Sequence, residues 1–318
     1  MSRYAKTSLA LVFFCCLLVT GCASTRLPVV DTVAIGTVPE LTDTPFHPQA
    51  LYQCGPAALL TLLDYSGVAT DMDTLVRQVY LPGREGSLQP ELLAATRAAE
   101  RVPYRIDGTI EALAAEIRAG RPVLVLQNLG VSWLPRWHYA VVIGVDAPNG
   151  QVVLRSGVDA RRVTKLTTFM RTWRRSDYWG MVALRADELP VNVDRGRWFS
   201  SLSALEQTGR HASALRAWKT AVDRWPDSAV GWFGLANSHY VLQDWPAAEL
   251  GYRRLLRLQP SLAIARNNLA LALMQQRRFA EAEQEAMLAL SDSSNDAEVQ
   301  AEVERTLAEI RDTRVRRE

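Results

Sequence analysis

Two residues in the N-terminal half combine reactive side chains with settings suited to nucleophilic chemistry. Cys54 lies in "HPQALYQCGPAALLTLLDYSGV" and His138 opens "HYAVVIGVD". Pro56 suits the first turn of a helix, where a missing N–H costs nothing, and Gly67 supplies a stop. Cys54 is therefore expected at the N-terminal end of a buried helix, where unpaired N–H groups and the helix dipole favour a thiolate. His138 is expected as the first residue of a strand, at an edge where its side chain can face a cleft. An imidazole there could take the thiol proton, let the thiolate attack a carbonyl, and protonate the leaving group. The competing reading is a small, inert core cysteine.

The elements that would position this pair follow from the pattern around them. "RPVLVLQN" and "HYAVVIGVD" read as buried strands, "APNG" as a hairpin turn, and "QVVLRSG" as the return strand. "YWGMVALR" reads as a last strand, with "LTTFMRTW" a helix before it. Helices are expected near 71–80, 88–100 and 110–119, the last capped by Thr109. Helices first and an antiparallel sheet after them make an α+β layout.

The remaining cysteines follow from the N-terminus. "MSRYAK" is basic, "TSLALVFFCCLLV" is apolar, and small residues precede Cys22 in "VTGCAS". This is a secretory signal pattern, too short for a comfortable transmembrane span. "VTGC" resembles the bacterial lipobox. The resemblance implies cleavage after Gly21 and a lipid on Cys22, and the absence of an acidic residue at Ala23 and Ser24 implies an outer-membrane anchor facing the periplasm. Of the four cysteines, Cys15 and Cys16 then leave with the signal, Cys22 carries lipid, and Cys54 remains as the sole free thiol.

The chain changes texture after "LPVNVDRG" and is expected to be helical from there on. A spacing of 34 residues aligns Trp198 and Trp232 with Arg266, and Ala214 with Ala248 and Ala282. It also aligns Trp218, Tyr252 and Ala286, then Ala221, Leu255 and Ala289, while Pro226 and Pro260 close two copies. That period, with a helix-turn-helix in each copy, is the signature of tetratricopeptide repeats. Residues 299–316 are expected as a charged closing helix, as a terminal cap of such an array should be. Arrays of this kind bind a peptide or protein partner along a concave face; the alternative is a stabilising appendage.

"PQALYQCGPAAL" followed by "HYAVVIGVD" resembles the bacteriocin-processing, double-glycine leader peptidases and their stand-alone relatives, which are papain-like cysteine peptidases. The resemblance covers roughly residues 45–185. It implies Cys54 as nucleophile, His138 as base and acid, and Gln49, in preference to Gln53, as the oxyanion donor. The family's orienting Asp-Pro pair is replaced by Ser156 and Gly157. Ser156, Asp159 or neither could orient His138, and Asp146 is expected in a turn.

The fold class expected is an α+β papain-like cysteine peptidase domain followed by an all-α tetratricopeptide-repeat solenoid. The divisions are a signal over 1–21, a linker over 22–44, the peptidase-like domain over 45–189 and the repeats with their cap over 195–316. A net charge of +2 gives no case for a nucleic-acid partner. No metal-ligand spacing or phosphate loop is present, so no cofactor is expected; "GREGS" lacks the required lysine. His47 is expected in a loop, and His211 and His239 as surface or packing residues. Trp133 and Trp137 could line a cleft or cover a sheet edge. Three functions stay open: an envelope cysteine peptidase, a thiol acyltransferase or amidase, and a degenerate binding or assembly module.

Overall fold

The computed structural model describes residues 30–49 and 53–317. The signal and lipidation expectations, Cys15, Cys16 and Cys22 included, lie outside these residues. A seven-stranded antiparallel sheet has the order β2-β7-β3-β4-β5-β6, with β1 paired to β4. These strands are β1 (Thr37–Val38), β2 (Val102–Arg105), β3 (Val123–Asn128), β4 (Trp137–Asp146), β5 (Gln151–Ser156), β6 (Asp159–Lys165) and β7 (Gly180–Leu184).

Strand β4 is apolar at every position from Tyr139 to Val145 because helices cover both of its faces. Tyr139, Val141 and Ile143 point into a cluster with α2 (Cys54–Tyr65), α3 (Met72–Val79) and α4 (Gln89–Ala98). Ala140 and Val142 point the other way, into a core with α5 (Ile110–Arg118) and α6 (Leu166–Arg174). A bulge between Val142 and Gly144 then shifts the phase and brings Val145 into this second core. Thr109 caps α5, its Oγ1 accepting from Ala112 N at 3.1 Å. Gly150 at φ 64° completes the β4–β5 turn, where Asp146 accepts from Asn149.

Several elements depart from the sequence reading. The segment expected as a linker is built into the domain from residue 30 onward: α1 (Thr32–Ile35) leads into β1, and Leu41 N donates to Ile143 O at 2.8 Å. The reason is that β4 outruns β3, so its last residues would otherwise leave an edge unpaired. β2 and β6 were also not anticipated. β6, "DARRVTK", is almost wholly exposed and charged, which suits an edge strand but carries no apolar alternation. β4 is central rather than at an edge; only its first residues reach the end of the sheet.

From residue 195 the chain is a series of paired helices. They are α7 (Arg195–Glu206) with α8 (His211–Arg224), α9 (Ala229–Val241) with α10 (Trp245–Leu258), and α11 (Ala263–Gln275) with α12 (Phe279–Asp292), closed by α13 (Ala297–Arg317). The 34-residue columns are its core: Ala214, Ala248 and Ala282 are fully buried, as are Ala221, Leu255 and Ala289. Small residues set the helix spacing. A Cβ on Gly234 would lie 2.4 Å from the Trp218 ring, and one on Gly251 would lie 2.8 Å from Ala236 Cβ. The first pair joins the sheet domain in a continuous core. Tyr104 of β2 packs on Trp198, and its hydroxyl accepts from Asp194 N at 2.9 Å and donates to Asn192 O at 3.2 Å. Arg197 pairs with Asp107 at 2.8 Å.

Candidate active site

Cys54 is the first residue of α2, and Gln53 at the cap makes no side-chain bond to the helix N-terminus. The first turn therefore keeps unpaired N–H groups beside the thiol. Gly55 follows because the loop before α4 lies against it: a Cβ there would meet Ser87 Oγ at 2.4 Å. Despite the helix end, the thiol is pushed above its ordinary value. Burial raises it, and the opposing N–H groups of Tyr139, Gly55 and Cys54 itself do not compensate. The activating effect expected from the helix start is thus outweighed by desolvation.

His138 is the second residue of β4. Its Nε2 lies 2.8 Å from Ser156 Oγ, at the end of β5. Ser156 is 3% exposed and pairs across a two-residue turn with Asp159. Gly157 at φ 65° occupies the first central position of that turn, where a positive φ is required. A proline at this position is excluded by its fixed negative φ, which accounts physically for glycine after Ser156. Asp159 makes no hydrogen bond to His138 among the described residues: it is exposed and sits 3.7 Å from Arg162. Of the residues considered for orienting His138, Ser156 is the one that reaches it.

The imidazole is pulled down to about 4, first by burial and then by the positive charges of Arg162 and Arg136. Imidazole and thiol are both neutral near pH 7. Ser156 adds no countercharge, so nothing in this pair offsets the two arginines.

Gln49 N donates to Gly157 O at 3.1 Å, and Gln49 Nε2 to Tyr139 O at 3.5 Å. These bonds hold Gln49 next to both the Ser156 turn and the start of β4. Gln49, Cys54, His138 and Trp137 line one cleft of ≈ 920 Å³, with the Gly86–Ser87 loop on its wall. No hydrogen bond joins Cys54 to His138 among the described residues; Ser156 stands behind the imidazole.

The other candidates lie elsewhere. His47 Nε2 is 3.1 Å from Asp64, and His239 pairs with Asp244 at 3.1 Å. Asp146 serves the β4–β5 turn. His211 opens α8, and Trp133, 83% exposed, lies outside the cleft lining. Sequence reasoning missed Arg136 and Arg162. Arg136 was visible in "LPRWH", but Arg162 acts from β6, a strand without a readable signal. It also missed Ser87 and Tyr139, whose hydroxyls are buried and unpartnered. Among the described residues no group of three metal-ligating side chains occurs, and no helix is long and apolar enough to cross a membrane.

Residues 41–181 match the peptidase C39 like family, and residues 202–263 and 235–298 match the tetratricopeptide repeat. The chain carries a peptidase C39-like domain followed by tetratricopeptide repeats. Among solved structures, the C39-like region is similar to a putative C39-like peptidase from Bacillus anthracis. That match has 17% identity and a TM-score of 0.40, covering 47% of this chain and 98% of that one. The repeats are similar to the TPR2B domain of yeast Sti1, with 16% identity, a TM-score of 0.36, and 38% and 98% of the two chains covered. They are also similar to the Yersinia enterocolitica type III secretion chaperone SycD in complex with a peptide of the translocator YopD. There the identity is 17% and the TM-score 0.36, with 39% and 94% covered. No curated protein matches the chain. The C39-like domain contains the whole Cys54–His138 cleft, and the repeats begin beyond its last strand.

Proposed function

We propose that this protein is a lipid-anchored cysteine peptidase of the cell envelope, held by lipid on Cys22 at the outer membrane and facing the periplasm, whose repeats recruit a protein partner. The observation that carries this reading is the shared cleft: a thiol at a helix N-terminus, an imidazole backed by a hydroxyl, and a glutamine amide, within a C39-like domain.

In this mechanism His138 Nε2–H donates to Ser156 Oγ, which leaves the Nδ1 lone pair as base. Nδ1 takes the Cys54 proton as Sγ attacks the substrate carbonyl. The tetrahedral oxyanion is met by the Cys54 backbone N–H and the Gln49 side-chain amide. The imidazolium returns its proton to the leaving amine, and an acyl-enzyme remains. Water, deprotonated by His138, then releases the acid and regenerates the thiol. An amine in place of water would give an acyl transferase, and a non-peptide amide would make the protein an amidase. The test is incubation of wild-type and Cys54→Ala protein with envelope peptides: new fragments and a trapped acyl mass on Cys54 are expected only with the wild type. Identical product patterns sink the proposal.

A second reading is favoured by the neutrality of the pair. A thiol raised by burial and an imidazole lowered to about 4, without a carboxylate, suit a degenerate peptidase kept as a binding or assembly module. Iodoacetamide alkylation of Cys54 in the presence of candidate peptides separates the two. Alkylation that persists well below pH 8 with a peptide bound marks an activated, peptidase-type thiolate; a rise only toward pH 9, with or without protection by the peptide, marks a binding module.

A further inference from the structure

We propose that the groove formed by α7, α9 and α11 takes a peptide segment bearing a basic side chain, lysine or arginine. This deepens the partner-recruiting part of the proposed function and is independent of chemistry at Cys54.

The groove is a pocket of ≈ 310 Å³. Glu206 comes from α7, Asn237 and Tyr240 from α9, and Asn268 and Leu271 from α11, with Tyr252 at its base. Tyr252 Oη donates to Asn237 Oδ1 at 2.7 Å, and Asn268 Nδ2 donates to the same oxygen at 3.3 Å. These bonds orient both amides. Asn237 keeps its N–H donors and Asn268 its carbonyl acceptor without partners among the described residues. A free donor beside a free acceptor complements the C=O and N–H of an extended peptide backbone.

The charge in the groove selects the side chain. Glu206 Oε1 accepts from Ser238 Oγ at 2.9 Å, which fixes the carboxylate and leaves Oε2 open. Glu309 of α13 is exposed and outside the pocket lining, and its charge, after burial, raises the Tyr240 phenol. No Lys or Arg lines the pocket, and Arg305 on α13 is already ion-paired with Glu302. A peptide carboxylate would meet only like charge here. An ammonium or guanidinium would meet Glu206 at the half-buried rim, where attraction is stronger than in bulk water.

The test uses the full chain with Cys54→Ala and a random library of N-acetylated, C-amidated decapeptides. The bound fraction should be enriched in Lys and Arg. The affinity of enriched peptides, read by fluorescence anisotropy, should fall about tenfold when the basic residue is changed to Gln or the protein carries Glu206→Gln. Glu206→Gln retains an acceptor for Ser238, and Asn268→Ala provides a second variant that should weaken binding of every enriched peptide. Enrichment of acidic peptides overturns the proposal, as does unchanged binding by a Glu206→Gln protein with an unaltered melting curve. A wild-type protein that binds basic peptides but cleaves nothing removes the peptidase reading and leaves this one standing; cleavage without such binding does the reverse.

Discussion

His138 Nε2 lies 2.8 Å from Ser156 Oγ, so a buried hydroxyl stands where the family resemblance implies an aspartate or asparagine. A hydroxyl can fix the orientation of the ring. It cannot neutralise the imidazolium that proton transfer creates.

Under the proposed mechanism, Ser156→Ala should lower kcat/KM on the order of tenfold, the value of one neutral hydrogen bond to the proposed base. Ser156→Asp should move the acid limb of the pH–rate profile upward from about 4, because a carboxylate favours the charged ring. Steady-state kinetics from pH 3 to 8 on both variants checks this, with circular dichroism to confirm folding. An unmoved limb in a folded Ser156→Asp protein means that Ser156 does not orient the base.

The same imidazole links stability to pH. Its folded value, about 4, is below the ordinary 6.5, so the unfolded chain binds more protons between these values. This contribution is full above about pH 6.5 and is lost as pH falls toward 4. Arg136→Ala and Arg162→Ala each remove a cation and should raise the value; His138→Gln should flatten this part of the stability profile. Histidine NMR titration and urea melts from pH 4 to 7 measure both.

Cys54 should alkylate as a half-buried thiol of the cleft wall in the free protein. Burial holds it above its ordinary value of 9.0, so the rate with iodoacetamide should still be climbing at pH 9. Cys54→Ala should abolish labelling, because Cys54 is the free cysteine of the described residues and Cys22 is expected to carry lipid. A plateau below pH 8 would mean that the helix N-terminus outweighs burial after all.

Gly234→Ala should destabilise the repeats by about 1–3 kcal/mol, through a methyl forced against the Trp218 ring. Trp218→Ala should cost about 3–5 kcal/mol. Thermal melts followed by tryptophan fluorescence would report both. Equal stability of Gly234→Ala and the parent would contradict the packing of α8 on α9.

Much of this architecture was legible in the residues alone, and for physical reasons. Pro56 and the apolar run after it specify a buried helix beginning at Cys54. The unbroken apolar strand at Tyr139–Val145 specifies burial on both faces. The 34-residue columns specify paired helices, because only small or interlocking residues fit where those helices touch. The repeats and the catalytic-type motifs are local patterns, and local patterns survive in a linear reading.

The tertiary structure decided what depends on distance and surroundings. β1 is too short, and β6 too charged, to announce themselves; they exist because β4 and β5 have edges to pair. Cys54 occupies the helix end that its sequence promised, yet burial reverses the expected sign of its titration. Asp159 is three residues from Ser156 in the chain, but a two-residue turn sends it to Arg162 and leaves Ser156 facing His138. Side-chain types and their periodicity follow from the sequence, whereas the balance of desolvation, charge and hydrogen bonding at Cys54 and His138 exists only once distant strands meet.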